Sequence, residues 1–158
     1  MELWRISNYP DLSGFGGTKV GGRWHTVGQP VTYLGENPSL CMLETLVHLE
    51  IDIEDLPGEY KLANIHVAAG ASVLEITEAS LPLRWRDTPS VTRLIGDQFL
   101  SKGAHLLMKV PSALIPYQFN YVYNSKLESG RSIRMVRLIS ADSFPYDERL
   151  LKAPVKTP

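Results

Sequence analysis

The apolar residues of this chain fall into short runs of strand type, interrupted by only two stretches long enough for a substantial helix, with no regular strand–helix alternation. The runs ELWRIS (2–7), PVTYL (30–34), KLANIHVA (61–68), SVLEI (72–76), HLLMKV (105–110), FNYVYN (119–124) and IRMVRLIS (133–140) read as strands bounded by turn residues. Asn37 is a good N-cap and Pro38 suits the first helical position, so SLCMLETLVHLE (39–50) reads as a helix running on without a breaker until Pro57-Gly58. SVTRLIGDQFLSKG (90–103) reads as the second, with Leu94, Ile95, Phe99 and Leu100 on one side and Gly103 as its stop. This arrangement predicts an α+β fold of mixed short-stranded sheets with flanking helices, not a doubly wound parallel sheet.

A chain of 158 residues fits one domain, taken as 1–151, followed by a frayed tail at 152–158. Sixteen basic and seventeen acidic residues leave a formal charge of −1, without the cationic excess that binding a phosphate backbone normally needs, so nucleic acid is not an expected partner. Cys41 is the only cysteine, which rules out an internal disulfide and a cysteine metal cluster and fits a reducing compartment. The opening MELWRISNYP lacks a basic region followed by an apolar run, and no apolar stretch is long enough to span a bilayer. A cytoplasmic protein without membrane contact is the resulting expectation.

The densest local signal is SGFGGTKVGGRWHTVG (13–28), which sets Arg23 between glycines and an indole. Glycines let a backbone approach something else closely, and an arginine beside them suggests an anion; an ordinary turn with a surface arginine is the alternative. Two nucleotide motifs fail here. After Gly21-Gly22 the lysine and hydroxyl of a phosphate loop are replaced by Arg23-Trp24, and a dinucleotide fingerprint from Gly14 needs glycine where Lys19 stands and a helix where a loop and strand are read.

Glu44 is the only acid between Leu40 and Leu49, in a helix apolar almost all round and so expected to be buried. A carboxylate there needs a cation, hydrogen bonds or a cavity to face. A structural pairing with Arg5 or Arg23, or a place at the helix edge in water, would also meet that need. His25, His48, His66 and His105 lack ligand spacing, so no metal site is expected. Ser112 ends a strand after Pro111 without the glycines of a nucleophile elbow, and Asn120 and Asn124 stand out among Tyr117, Tyr121 and Tyr123.

An arginine after a glycine-rich stretch, a tyrosine in the next strand, a glutamate in an apolar helix and a serine in VPSA form a set that resembles the RES-domain toxins, named for Arg, Glu and Ser. LWRIS with SGFGGTKVGGRWHTVGQPVTYLGENPSLCMLETLVHLE looks like the family's opening block. LPLRWRDTPS and LIGDQFL look like its middle, and LLMKVPSALIPYQFNYVYN like its closing block. The chain departs from many relatives after Asn124, where it reads Ser125-Lys126-Leu127, and at Phe99, where many carry tryptophan.

The resemblance implies a fold similar to diphtheria-toxin-type ADP-ribosyltransferases and a bacterial toxin that consumes NAD as substrate, without a further cofactor, by cleaving the bond between nicotinamide and ribose. Hydrolysis, phosphorolysis and protein ADP-ribosylation all occur among relatives. A non-catalytic nucleotide-binding module is the alternative from another class. The implied partner is an antitoxin of the Xre kind, and a homodimer is possible. Carried over by position, the catalytic set is Arg23, Tyr33, Glu44 and Ser112, with Arg5, Gly22 and Asn120 at the substrate. On this reading Arg23 meets the pyrophosphate, and Tyr33 stacks on nicotinamide or the ribose edge. Glu44 stabilises the charged sugar, while Ser112 and Asn120 hold Glu44 or the substrate. Arg5 is either a second phosphate or ribose contact or the structural partner of Glu44.

Overall fold

The computed structural model describes residues 1–48, 60–144, 147 and 149. Its strands are β1 (Glu2–Ser7), β2 (Thr32–Gly35), β3 (Lys61–Val67), β4 (Val73–Glu75), β5 (Leu107–Pro111), β6 (Phe119–Tyr123) and β7 (Val136–Ser143). The helices are α1 (Phe15–Lys19), α2 (Pro38–His48) and α3 (Pro89–Lys102). All seven strands join one sheet in the order β4-β5-β6-β2-β1-β3-β7, antiparallel except where β4 lies parallel to β5. The α+β class follows from this pairing.

One seam divides the sheet. β1 pairs with β3 from Glu2 to Ser7, but with β2 only through Trp4 and Gly35. Each side of the seam is well bonded: β2 pairs with β6 from Thr32 to Gly35, and β6 with β5 from Phe119 to Tyr123. With a single pair between β1 and β2, side chains of both strands line an opening at the middle of the sheet.

Strand alternation sends the side chains to two cores. On β5 and β6, Leu107, Tyr121 and Tyr123 join Leu3, Ile65 and Val67 in one cluster, while Met108, Val110 and Val122 face Trp24, Trp85, Phe99 and Leu100 in the other. The second cluster is where α3 packs.

The helix signals in the sequence are realised at their ends. The Asn37 side-chain oxygen accepts the Leu40 N–H at 2.9 Å, as an N-cap does. Gly103 follows α3 at φ 60°, its N–H bonded to the Phe99 carbonyl, so the left-handed residue closes the helix.

Three expectations need correction. The glycine stretch contains helix α1, opened by Gly14 at φ 75°, where a loop was expected. Leu94 is exposed while Phe99 and Leu100 are buried, because α3 turns the Phe99 side to the core. α2 is not buried all round: Leu40 and Cys41 are covered, but Leu43 and Val47 lie on an exposed face. The continuation of this helix toward Pro57 and the expected tail at 152–158 lie outside the described residues. No helix among the described residues is long and apolar enough to cross a membrane.

A second acid proves structural. Glu128 is 1% exposed and accepts the Tyr123 hydroxyl at 2.9 Å and the backbone N–H groups of Met135 at 2.5 Å and Val136 at 3.2 Å. It ties the start of β7 to β6. Glu128→Ala leaves three donors without an acceptor, and the expected loss of unfolding free energy in urea titration is on the order of 3 kcal/mol. A midpoint equal to wild type would contradict this anchoring role.

Candidate active site

A cavity of about 550 Å³ opens at the seam, lined on one side by Arg5 and Ile6 of β1 and on the other by Tyr33, Leu34 and Gly35 of β2. Its remaining walls come from the glycine stretch with Arg23, Trp24 and His25, from Cys41, Glu44 and Thr45 of α2, and from Ala113 and Asn120. The volume lies within the roughly 300–1,000 Å³ usual for small-molecule sites.

Glu44 is held through one oxygen. Its Oε1 accepts the Ser112 hydroxyl at 3.0 Å and the Asn120 amide at 2.6 Å. Among the described residues Oε2 carries no hydrogen bond. Ser112 is 1% exposed, and its oxygen accepts the N–H groups of Leu114 and Ile115, both at 3.1 Å. A hydroxyl has one proton and two lone pairs, so with both acceptor sites filled by backbone the proton is directed at Glu44. Ser112 is therefore a fixed donor, not a free nucleophile.

The distance between α2 and β6 is fixed independently. Phe119 N–H donates to Glu36 Oε1 at 3.0 Å, and the Asn37 amide to Gln118 Oε1 at 2.6 Å. On the β1 side the Cys41 thiol donates to the Trp4 carbonyl at 3.1 Å. Burial pushes this thiol up to about 12, so it stays protonated at neutral pH and is no nucleophile.

The arginine segment is clamped by α3. Thr92 donates to the Arg23 carbonyl at 2.7 Å, Arg93 Nε to the Gly22 carbonyl at 2.9 Å, and Thr26 N–H to Asp97 at 2.9 Å. Gly96 faces the Trp24 carbonyl so closely that an added Cβ would lie 1.6 Å from it. With its backbone held, Arg23 uses Nη1 on the Arg86 carbonyl at 2.9 Å, and no hydrogen bond of Nε or Nη2 is found among the described residues. Those donors remain for a ligand.

Arg5 does not pair with Glu44. Its Nη1 donates to the Asp11 carbonyl at 3.0 Å and its Nη2 to Ser7 Oγ at 3.3 Å. Burial lowers its pKa, offset in part by Asp11. It is a cavity guanidinium bonded to neutral oxygens, with Asp11 as the nearby acid and no ion pair among the described residues.

Residues 2–147 match the RES domain. The chain belongs to the RES-domain family. Toxin Res of Pseudomonas putida is 42% identical to it over 150 residues, spanning 95% of this chain and 99% of the relative. Toxin Res of Photorhabdus laumondii is 32% identical over 160 residues, spanning 97% and 99%. A Sphingobium protein named Prs ADP-ribosylating toxin is 30% identical over 161 residues, spanning 96% and 97%. The Mycobacterium tuberculosis MbcT–MbcA toxin–antitoxin complex contains a chain similar at a TM-score of 0.72 and 21% identity, over 90% of this chain and 83% of that one, which shows a common fold.

The cavity of this RES-domain chain gathers Arg5, Gly22, Arg23, Tyr33, Glu44 and Asn120, and Ser112 reaches it through Glu44. Those seven residues, distributed over more than a hundred positions of sequence, are thus one cluster. Among the described residues no group of histidine, cysteine and acids could hold a metal.

Thr92, Arg93 and Asp97 show only an ordinary helix pattern in the sequence, and His25 lacks metal-ligand spacing, so neither the clamp nor the imidazole's part is legible there. The Tyr33 hydroxyl accepts the Trp24 N–H at 3.0 Å and lies 2.8 Å from His25 Nδ1. Burial raises its pKa, so it stays protonated at neutral pH.

A Cβ on Gly22 would stand 2.6 Å from the Tyr33 hydroxyl and 3.0 Å from the His25 ring. Gly22→Ala is expected to cost roughly 1–3 kcal/mol in thermal unfolding, as overpacking does. An unshifted midpoint would show the contact to be looser than described.

Proposed function

We propose that this chain is the toxin of a toxin–antitoxin pair and that its cavity binds NAD and cleaves the nicotinamide–ribose bond. The observation that carries the reading is Glu44, fixed through Oε1 with no hydrogen bond to Oε2 among the described residues, in one cavity with two guanidinium groups. Breaking that bond releases nicotinamide as a neutral molecule and leaves positive charge on the ribose, in an oxocarbenium-like transition state. A carboxylate set against that charge lowers the barrier, and it does so without reorganising when hydrogen bonds already hold it.

The roles follow from position. Arg23 offers Nε and Nη2 to the pyrophosphate beside the glycine stretch, and Arg5 supplies a second cationic contact to phosphate or ribose. The Tyr33 ring forms a wall for nicotinamide or its ribose. Glu44 Oε2 faces the developing charge and can orient an acceptor hydroxyl or water. Ser112 and Asn120 act through Glu44, and Gly22 leaves room for the arrangement. With water as acceptor the products are nicotinamide and ADP-ribose; with phosphate the ribose carbon takes a phosphate oxygen instead.

A second reading has its own support. The Sphingobium relative is named an ADP-ribosylating toxin, so a protein side chain is a competing acceptor. As for partners, the MbcT–MbcA likeness and the family membership support a cognate antitoxin, expected to be of the Xre kind. The reaction belongs in the cytoplasm, where NAD is available.

Purified chain incubated with NAD is expected to release nicotinamide, measured by chromatography, with water or phosphate present. Glu44→Ala and Glu44→Gln should each lower turnover by on the order of a hundredfold or more, the second because the charge is lost with the shape kept. Labelled NAD in lysate followed by mass spectrometry separates protein modification from hydrolysis. Binding of NAD without release under all these conditions would instead indicate a non-catalytic nucleotide module.

A further inference from the structure

His25 is a cavity residue with no assigned part in the chemistry above, yet it is 2% exposed and every polar atom of its ring is engaged. Nε2 lies 3.1 Å from the Val20 carbonyl, which can only accept, so Nε2 bears the proton. The Gly22 N–H, a group that can only donate, is shared between the His25 carbonyl at 3.1 Å and Nδ1 at 3.2 Å, which favours a bare Nδ1. Both backbone contacts favour the same neutral tautomer. The Tyr33 hydroxyl already accepts from Trp24 N–H, and at 2.8 Å from the bare Nδ1 its proton goes to the imidazole.

We infer that His25, as the neutral Nε2–H imidazole, is a positioning residue of the cavity: it fixes the Tyr33 hydroxyl and pins the glycine stretch beside Arg23, and taking up a proton reverses the first and removes the Nδ1 share of the second. This rests on the proposed NAD reading for its catalytic consequence, but its geometry does not. A proton on Nδ1 places N–H against the Gly22 N–H, which is left with the His25 carbonyl as its acceptor. It also makes Tyr33 the acceptor, so the tyrosine proton turns from the ring and the Trp24–Tyr33–His25 line is rewired.

The charged and titratable groups around the ring are Tyr33 of β2, Arg93 and Asp97 of α3, and Arg23 beside it in the chain. Asp97 favours the protonated ring, while Arg93 and burial oppose it, and burial is the largest effect. The ring therefore titrates below the ordinary histidine value of 6.5, and the site is intact at neutral pH. Because the unfolded chain takes up this proton first, the folding stability tied to His25 is present above pH 6.5 and lost as pH falls.

The experiment uses the full chain labelled with ¹⁵N. Long-range proton–nitrogen spectra are expected to show a protonated Nε2 and a bare Nδ1 at neutral pH, with the Gly22 amide shifting at the same acid midpoint as the ring. Nicotinamide release by wild type should lose kcat with that midpoint, roughly tenfold per pH unit below it for a single proton. His25→Asn offers a non-titrating carbonyl near the place of Nδ1 and should retain neutral activity without this acid limb. His25→Phe should lose on the order of a hundredfold in kcat/KM through misplacement of the loop. An Nδ1–H ring at neutral pH, a Gly22 amide indifferent to the titration, or an unchanged acid limb in His25→Asn would each overturn the inference. Absence of nicotinamide release from wild type would defeat the NAD reading alone, since the spectra decide the tautomer and the coupling to Gly22 without it.

Discussion

The site depends on a carboxylate held by one of its two oxygens. Ser112 and Asn120 converge on Glu44 Oε1, and no hydrogen bond engages Oε2 among the described residues. Two donors on a single oxygen fix the plane and tilt of the group while leaving the other oxygen's lone pairs for a ligand. The donors are themselves constrained: Ser112 by the backbone turn it caps, Asn120 by a strand paired on both sides. Preorganisation of this kind stabilises charge that develops during a reaction, because the dipoles need no rearrangement when it appears.

The fold supplies both the gap and the walls. A sheet with one pair between β1 and β2 presents Arg5 on one lip and Tyr33 on the other. α2 crosses near that seam, with Cys41 bonded to β1 and Asn37 to the segment before β6, and so delivers Glu44 to the gap. Facing it, α3 grips Gly22, Arg23 and Thr26 through side chains on successive turns, while Gly96 allows the helix to touch the Trp24 backbone. Arg23 is held by a helix some seventy residues away in sequence, not by its glycine neighbours alone.

Local chemistry made part of this legible beforehand. Asn37 capping α2 and Gly103 closing α3 act through bonds within a few residues, and so they show in the sequence. Arg23, Glu44, Ser112 and Asn120 stand out from local pattern, while the roles of all seven candidates come from family resemblance and their meeting at one cavity is a fact of the tertiary fold. α1 was missed because Gly16 and Gly17 oppose helix formation; the turn forms against Val31 and His25, contacts that no local pattern encodes. Leu94 fits a helical stripe yet faces out, since packing on Trp24 selects the Gly96 and Phe99 side of α3. Glu128 and His25 were not read as buried anchors because their partners are backbone groups brought in by turns.

The central claim is that Glu44 and Arg23 address two ends of one dinucleotide. A crystal structure of the Glu44→Gln chain with NAD bound tests it most directly. The account predicts the pyrophosphate within hydrogen-bond reach of Arg23 and the nicotinamide ribose against residue 44. NAD lying outside the seam, or bound with its ribose turned away from residue 44, would contradict it.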